Sequence, residues 1–147
     1  MKILAVMLLA CAYMLTGSAQ TKSDCIRWDQ VDSFVIYNWP AGGSFSLLRT
    51  KLDSLTGYPL PVEMLKEVLP GTSCEKKTTG YLWKGYHLGK VMLRSGEQRL
   101  LLISTQGEML YEPDTKRFYE VPNDQVGKMH EALVQAVQGK AEVASKR

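Results

Sequence analysis

The sequence predicts an α+β domain: an antiparallel meander sheet of about five to six strands, with two short helices before it and a C-terminal amphipathic helix packed on it. Three observations carry this expectation. Between Tyr81 and Val121 short β-rich runs alternate with turn signals only one to four residues long, and connections that short join antiparallel neighbours. The run Arg99-Leu100-Leu101-Leu102-Ile103-Ser104 is apolar on both faces, so the sheet centre needs cover on both sides. Val126, Met129, Leu133 and Val137 recur at helical spacing near the C-terminus and supply one such cover.

The strands of the meander are expected at 81–88, 90–94, 98–104, 108–112 and 117–121. Gly89, Ser95-Gly96, Thr105-Gln106-Gly107 and Pro113-Asp114-Thr115-Lys116 separate them. Gly89 has a second reading, as a bulge within one long strand. A preceding strand is expected over 33–39, where Ser33-Phe34-Val35-Ile36-Tyr37-Asn38-Trp39 is β-branched and aromatic, with Pro40 ending it. Leu48, Leu52 and Leu55 form the stripe of a helix over 46–55, capped by Ser44 or Ser46, with Arg49 paired to Asp53 and Gly57 as its stop. A second short helix starts at Pro61 and runs to Leu69, with Val62, Leu65 and Leu69 inward and Pro70-Gly71 as the break. Residues 70–80 read as loop. The last helix is expected from an Asn123 cap to about Gln138, with Gly139 as its stop and 140–147 as a polar tail.

Upstream of this domain, Met1-Lys2 and the uninterrupted apolar run Ile3 to Leu15 have the build of a secretory signal, with Gly17 and Ala19 as small residues before a cut at Gln20. The run is 13 residues, whereas a bilayer-spanning helix needs about 20. The reading is therefore a signal peptide over 1–19, a single domain over 20–147 with no transmembrane span, and a periplasmic or extracellular location. A competing reading takes Leu8-Leu9-Ala10-Cys11 as a lipobox, which would anchor the chain as an envelope lipoprotein through Cys11. Removal of Cys11 with the signal leaves Cys25 and Cys74, and in an oxidising compartment two cysteines imply a disulfide. Such a bridge stabilises by about 4 kcal/mol in the chain-entropy description.

The formal charge is +3 over 147 residues, with the lysines and arginines scattered, so neither a nucleic-acid nor an anionic-membrane partner is implied. The sequence contains no H-E-x-x-H, G-x-S-x-G or Walker pattern, and two histidines are too few for a histidine-rich metal site. No cofactor is expected. Glu108 and Glu112 share a strand face at a separation too wide for glycosidase chemistry and read as solvated edge residues. His130 falls within the apolar stripe of the last helix and reads as a packed residue with one neighbour.

The most site-like feature is the first strand of the meander, where alternation puts Tyr81, Trp83, Gly85 and His87 on one face. Two amphipathic rings and an imidazole, with a gap at Gly85, suit a shallow groove for an unknown protein or a carbohydrate-like ligand. Tyr37 and Trp39, beside the Ala41-Gly42-Gly43 loop, form a second aromatic candidate. These features favour a small exported non-catalytic binding or inhibitory module. The alternative is a small extracytoplasmic hydrolase using His87, with a Ser or Asp brought near by the fold. No family is recognised from these motifs. In outline a meander closed by a helix resembles pleckstrin-homology-type and other small sheet-plus-helix modules, a likeness of architecture that implies no function.

Overall fold

A computed structural model of the chain describes residues 25–37, 49–77 and 86–145, with side chains described as far as Gln138. Seven antiparallel strands form one sheet: β1 Val31–Tyr37, β2 Gly57–Leu60, β3 Ser73–Lys76, β4 Tyr86–Leu93, β5 Gln98–Ser104, β6 Met109–Glu112 and β7 Arg117–Glu120. Their order across the sheet is β2-β1-β4-β5-β6-β7-β3. The helices are α1, Val62–Val68, and α2, Val126–Ser145. The α+β class, the antiparallel meander and the C-terminal helix are as expected, and the strand count is slightly higher.

The two added strands lie at the sheet edges, in segments that lack a sequence signal for strand. β2 is Gly57-Tyr58-Pro59-Leu60, where a helix stop was expected. It pairs with β1, and a Cβ on Gly57 would stand 2.5 Å from Val35 Cγ1, so only glycine lets the chain pass there. β3 is Ser73-Cys74-Glu75-Lys76, within the stretch read as loop; it pairs with β7, where Cys74 stands opposite Tyr119. Each edge strand sends one side chain inward, Leu60 from β2 and Cys74 from β3, and pairing with β1 or β7 supplies the order that propensity does not.

β4 runs through Gly89 without a break in register against β1 or β5, so Gly89 is neither a turn nor a bulge. A Cβ there would meet Phe34 Cε2 at 2.6 Å and Ile103 Cδ1 at 2.9 Å. The missing side chain is the space that the fully buried Phe34 ring occupies. The turns between β4 and β7 fall where expected. At the β5–β6 turn Gly107 has φ +79°, and a Cβ would also press on Met129 Cγ at 2.9 Å, so this glycine both turns the chain and seats the turn against α2.

Alternation along the strands builds two cores. On one face Phe34, Ile36, Val91, Leu93, Leu101, Ile103, Leu110 and Tyr119 are covered by Leu65, Val68 and Leu69 around α1, by Met129 and Leu133 of α2, and by Ile26 and Trp28. On the other face Tyr37, Leu88 and Leu100 pack with Leu52, flanked by Val35, Leu55, Tyr86 and Leu102. β5 is thus buried on both sides, as its sequence requires.

The helices differ from expectation at their ends. Residues 49–51 form a helical turn continued by a 3₁₀ turn over Leu52–Ser54, while 46–48 and the Ser44 and Ser46 caps lie outside the described residues. Arg49 pairs with Asp114 on the β6–β7 turn rather than with Asp53. Pro61 is the N-cap of α1, not its first turn. In α2 the stretch after Pro122 is a turn, with Gln125 and Val126 N–H both donating to the Pro122 carbonyl, so Asn123 is not the cap. Gly139 does not stop the helix, which runs on to Ser145.

Candidate functional site

The sequence-based candidates are not brought together. Tyr81, Trp83 and Gly85 lie outside the described residues, as does Trp39. His87 stands at the start of β4, half-buried, on the face covered by α2. Burial, and then the nearby charge of His130, hold its pKa below the usual histidine value. Among the described residues it makes no hydrogen bond or ion pair, so no serine or carboxylate yet stands as its partner. His130 Nδ1–H donates to the Thr105 carbonyl at 3.2 Å, the single neighbour expected of a packed histidine. Tyr37 is on the opposite face, 6% exposed, with the Lys90 ammonium 5.7 Å from its ring centroid. Its ring is a core element.

The chemistry that the structure does assemble lies at the other end of the sheet. Glu112, read from sequence as a solvated edge residue, is 2% exposed. Arg99 Nη1 reaches both its oxygens at 3.3 Å, Thr115 Oγ1 donates to Oε2 at 2.8 Å, and the Tyr119 hydroxyl donates to the same oxygen at 3.0 Å. Arg99 Nε also donates to Glu97 Oε1 at 3.1 Å. Burial works against the Arg99 charge, yet Glu112 and then Glu97 more than offset it, and the guanidinium is held above its ordinary pKa. Burial first, and then the Glu112 charge, push the Tyr119 phenol upward. Tyr119 therefore stays a neutral donor and Arg99 a cation throughout the physiological range. Around Glu112 these hydrogen bonds tie β5, β6 and β7 together.

Tyr119 also holds the segment entering β1. The Ile26 N–H donates to the Tyr119 hydroxyl at 3.2 Å, and the Trp28 ring stands edge-on to the Tyr119 ring, centroids 5.6 Å apart at 76°. Cys25 is bonded to Cys74, as expected from the cysteine count, with Cα atoms 6.1 Å apart. The partner strand differs from expectation, since Cys74 sits in β3 and not in a loop. Residues 25–28 are thus fastened to the sheet edge by a covalent bond, a hydrogen bond and an aromatic contact.

Between this segment and α1 opens a cleft of about 620 Å³, lined by Cys25, Ile26, Trp28, Pro70, Thr72 and Cys74 along its walls and by Arg27, Asp29, Lys66 and Arg94 at its rim. That volume lies in the range of ligand-binding clefts. Three cations come from three separate elements: the segment before the Trp28–Gln30 turn, α1, and the β4–β5 turn. The lone rim carboxylate, Asp29, is held below the ordinary carboxylate pKa chiefly by the Gln30 amide and then by Arg27. Arg27 pairs with Asp29 at 3.1 Å and Lys66 with the exposed Glu63 at 2.9 Å. Among the described residues Arg94 makes no ion pair, while its backbone N–H is tied to the Gln30 carbonyl at 2.9 Å.

Sequence reasoning missed this site because residues 20–30 carry no strand or helix pattern. One signal was available. The four-residue turn after Glu112 sets Glu112 opposite Arg117, and the alternation places both on the face of Leu110 and Tyr119, which is the core face. No helix among the described residues is long and apolar enough to cross a membrane. Comparison with known proteins finds no family model, no curated protein and no solved structure that matches this chain.

Proposed function

We propose that this protein is an exported, non-catalytic binding module whose cleft beside the disulfide takes an acidic segment of a partner protein. The observation that supports it is the cleft itself: apolar and aromatic walls beside a buried network, with three cations at the rim, of which Arg27 pairs with Asp29 and Lys66 with Glu63 while Arg94 makes no ion pair among the described residues. Walls of that kind suit a side-chain anchor, and the rim supplies attraction and orientation. Export is supported by the disulfide, which persists in oxidising compartments, and by the secretory build of residues 1–19. The sheet face at His87 is the weaker candidate, since its only described partner in charge is another histidine.

The test is selection of binders from an immobilised array of random decapeptides. Wild type is expected to enrich Asp- and Glu-containing sequences, and Arg94→Glu to lose that enrichment. Lys51→Glu, which changes net charge equally but lies outside the cleft, should keep it. Selection that responds equally to both substitutions, or that shows no acidic bias, contradicts the proposal. Mass spectrometry of the mature N-terminus tests export: a start at Gln20 as pyroglutamate supports it, acylated Cys11 replaces it with the lipoprotein reading, and an intact Met1 contradicts both.

A further inference from the structure

The Cys25–Cys74 bridge differs from an ordinary structural disulfide in what surrounds it. Both cysteines pack against the edge of the main core, yet both keep part of their surface and both line the open cleft. The Arg117 guanidinium lies against the two sulfurs together, with Nη1 3.6 Å from Cys25 Sγ and 3.9 Å from Cys74 Sγ. Arg117 arrives there by register: it is on β7 two residues before Tyr119, which stands opposite Cys74, so its side chain shares the face and the end of the sheet. A fixed cation beside a sulfur favours the thiolate form, and a thiolate that is stabilised is a better leaving group in exchange. The rim cations Arg27, Lys66 and Arg94 would in turn draw an attacking thiolate into the cleft.

We infer that Cys25–Cys74 is a thiol–disulfide exchange site, reached through the cleft by a dithiol reductant and assisted by Arg117. In the first step a thiolate of the dithiol attacks one cystine sulfur, forming a mixed disulfide while the other cysteine leaves as a thiolate beside the guanidinium. The second thiol of the reductant then closes on the mixed disulfide, releasing the second cysteine. Two electrons and two protons pass from the dithiol, which becomes a disulfide, to the protein, which becomes a dithiol. Loss of the bridge removes the covalent tie between residue 25 and β3 and loosens one wall of the cleft, which the Ile26–Tyr119 hydrogen bond and the Trp28–Tyr119 contact still hold to β7. Exchange does not depend on what the cleft binds; only its effect on binding rests on the proposed function.

The experiment measures the rate constant for reduction of the folded mature chain by dithiothreitol, with thiols trapped by alkylation and counted by mass. Wild type is expected to be reduced in proportion to dithiothreitol concentration, and Arg117→Gln at least fivefold more slowly, with Arg117→Lys restoring most of the rate. A rate that is independent of reductant concentration and equal to that of global unfolding overturns the inference. So does an Arg117→Gln rate equal to wild type. Should the glutamine variant fail to fold, the wild-type protein decides alone: the anionic 2-mercaptoethanesulfonate should outpace the cationic cysteamine, beyond their ratio on a small-molecule disulfide, and a ratio no greater than that overturns the inference. Repeating the peptide selection on the reduced protein separates the two proposals, because exchange kinetics of the expected kind with no acidic selection in either redox state contradicts the binding reading alone.

Discussion

The Tyr119 hydroxyl donates to Glu112 Oε2 at 3.0 Å while accepting the Ile26 N–H at 3.2 Å, so a single oxygen joins the buried ionic network to the segment that walls the cleft. Tyr119→Phe keeps the ring that packs on Trp28 and removes only this joint. It leaves a buried N–H without its acceptor and is expected to cost about 1–3 kcal/mol. Urea denaturation followed by circular dichroism measures that loss. Amide exchange at Ile26 should rise more than elsewhere in the sheet.

The Arg99–Glu112 pair makes a prediction of opposite signs. Glu112→Leu takes the Glu112 carboxylate away from a buried guanidinium, and breaking a buried pair from one side costs about 3–5 kcal/mol. Replacing both partners, as in Arg99→Met with Glu112→Leu, removes the charge along with its partner and should recover most of that loss. Equal destabilisation of the single and double variants would show that the pair is not the source of the effect.

At Gly89 the expected change is steric. Gly89→Ala puts a methyl group into the Phe34 ring and Ile103, which costs about 1–3 kcal/mol as overpacking. Phe34→Leu in the same chain opens the space, so the double variant should be less destabilised than the sum of the two single ones. Thermal melts of the four proteins give the coupling directly.

His87 sets a pH dependence. Its folded-state pKa is depressed, by burial and then by His130, below the ordinary 6.5 that the unfolded chain shows. Between the two values the unfolded chain binds more protons, so stability rises with pH. The contribution is complete above about 6.5 and is lost as pH falls toward the folded value. The melting temperature of His87→Phe should therefore fall less than that of wild type between pH 7.5 and 5.5, and an unchanged slope would contradict the assignment.

Local chemistry made the centre of the fold legible. The two-faced apolar run of β5, the turn residues between β4 and β7, and the stripe of α2 each report burial directly, and each holds in the structure. Edge strands were not legible, because β2 and β3 are four residues each, with a single inward anchor in Leu60 and Cys74, and take their strand conformation from hydrogen bonds to a neighbour. Gly89 misled for a related reason: a glycine that makes room for a ring from another strand looks the same in sequence as one that turns the chain. The disulfide followed from counting cysteines. The cleft beside it did not, because its wall of residues 25–28 is held in place by Arg117 and Tyr119, more than 80 positions away in the chain.

The direct measurement of where an acidic ligand lands is an amide chemical-shift titration of the isotope-labelled protein with an acidic octapeptide carrying one aromatic residue. Shifts concentrated at Arg27, Asp29, Lys66, Thr72 and Arg94, together with the Trp28 indole N–H, are the predicted result. Shifts centred instead on Tyr37 and Lys90, on the other face of the sheet, would contradict it.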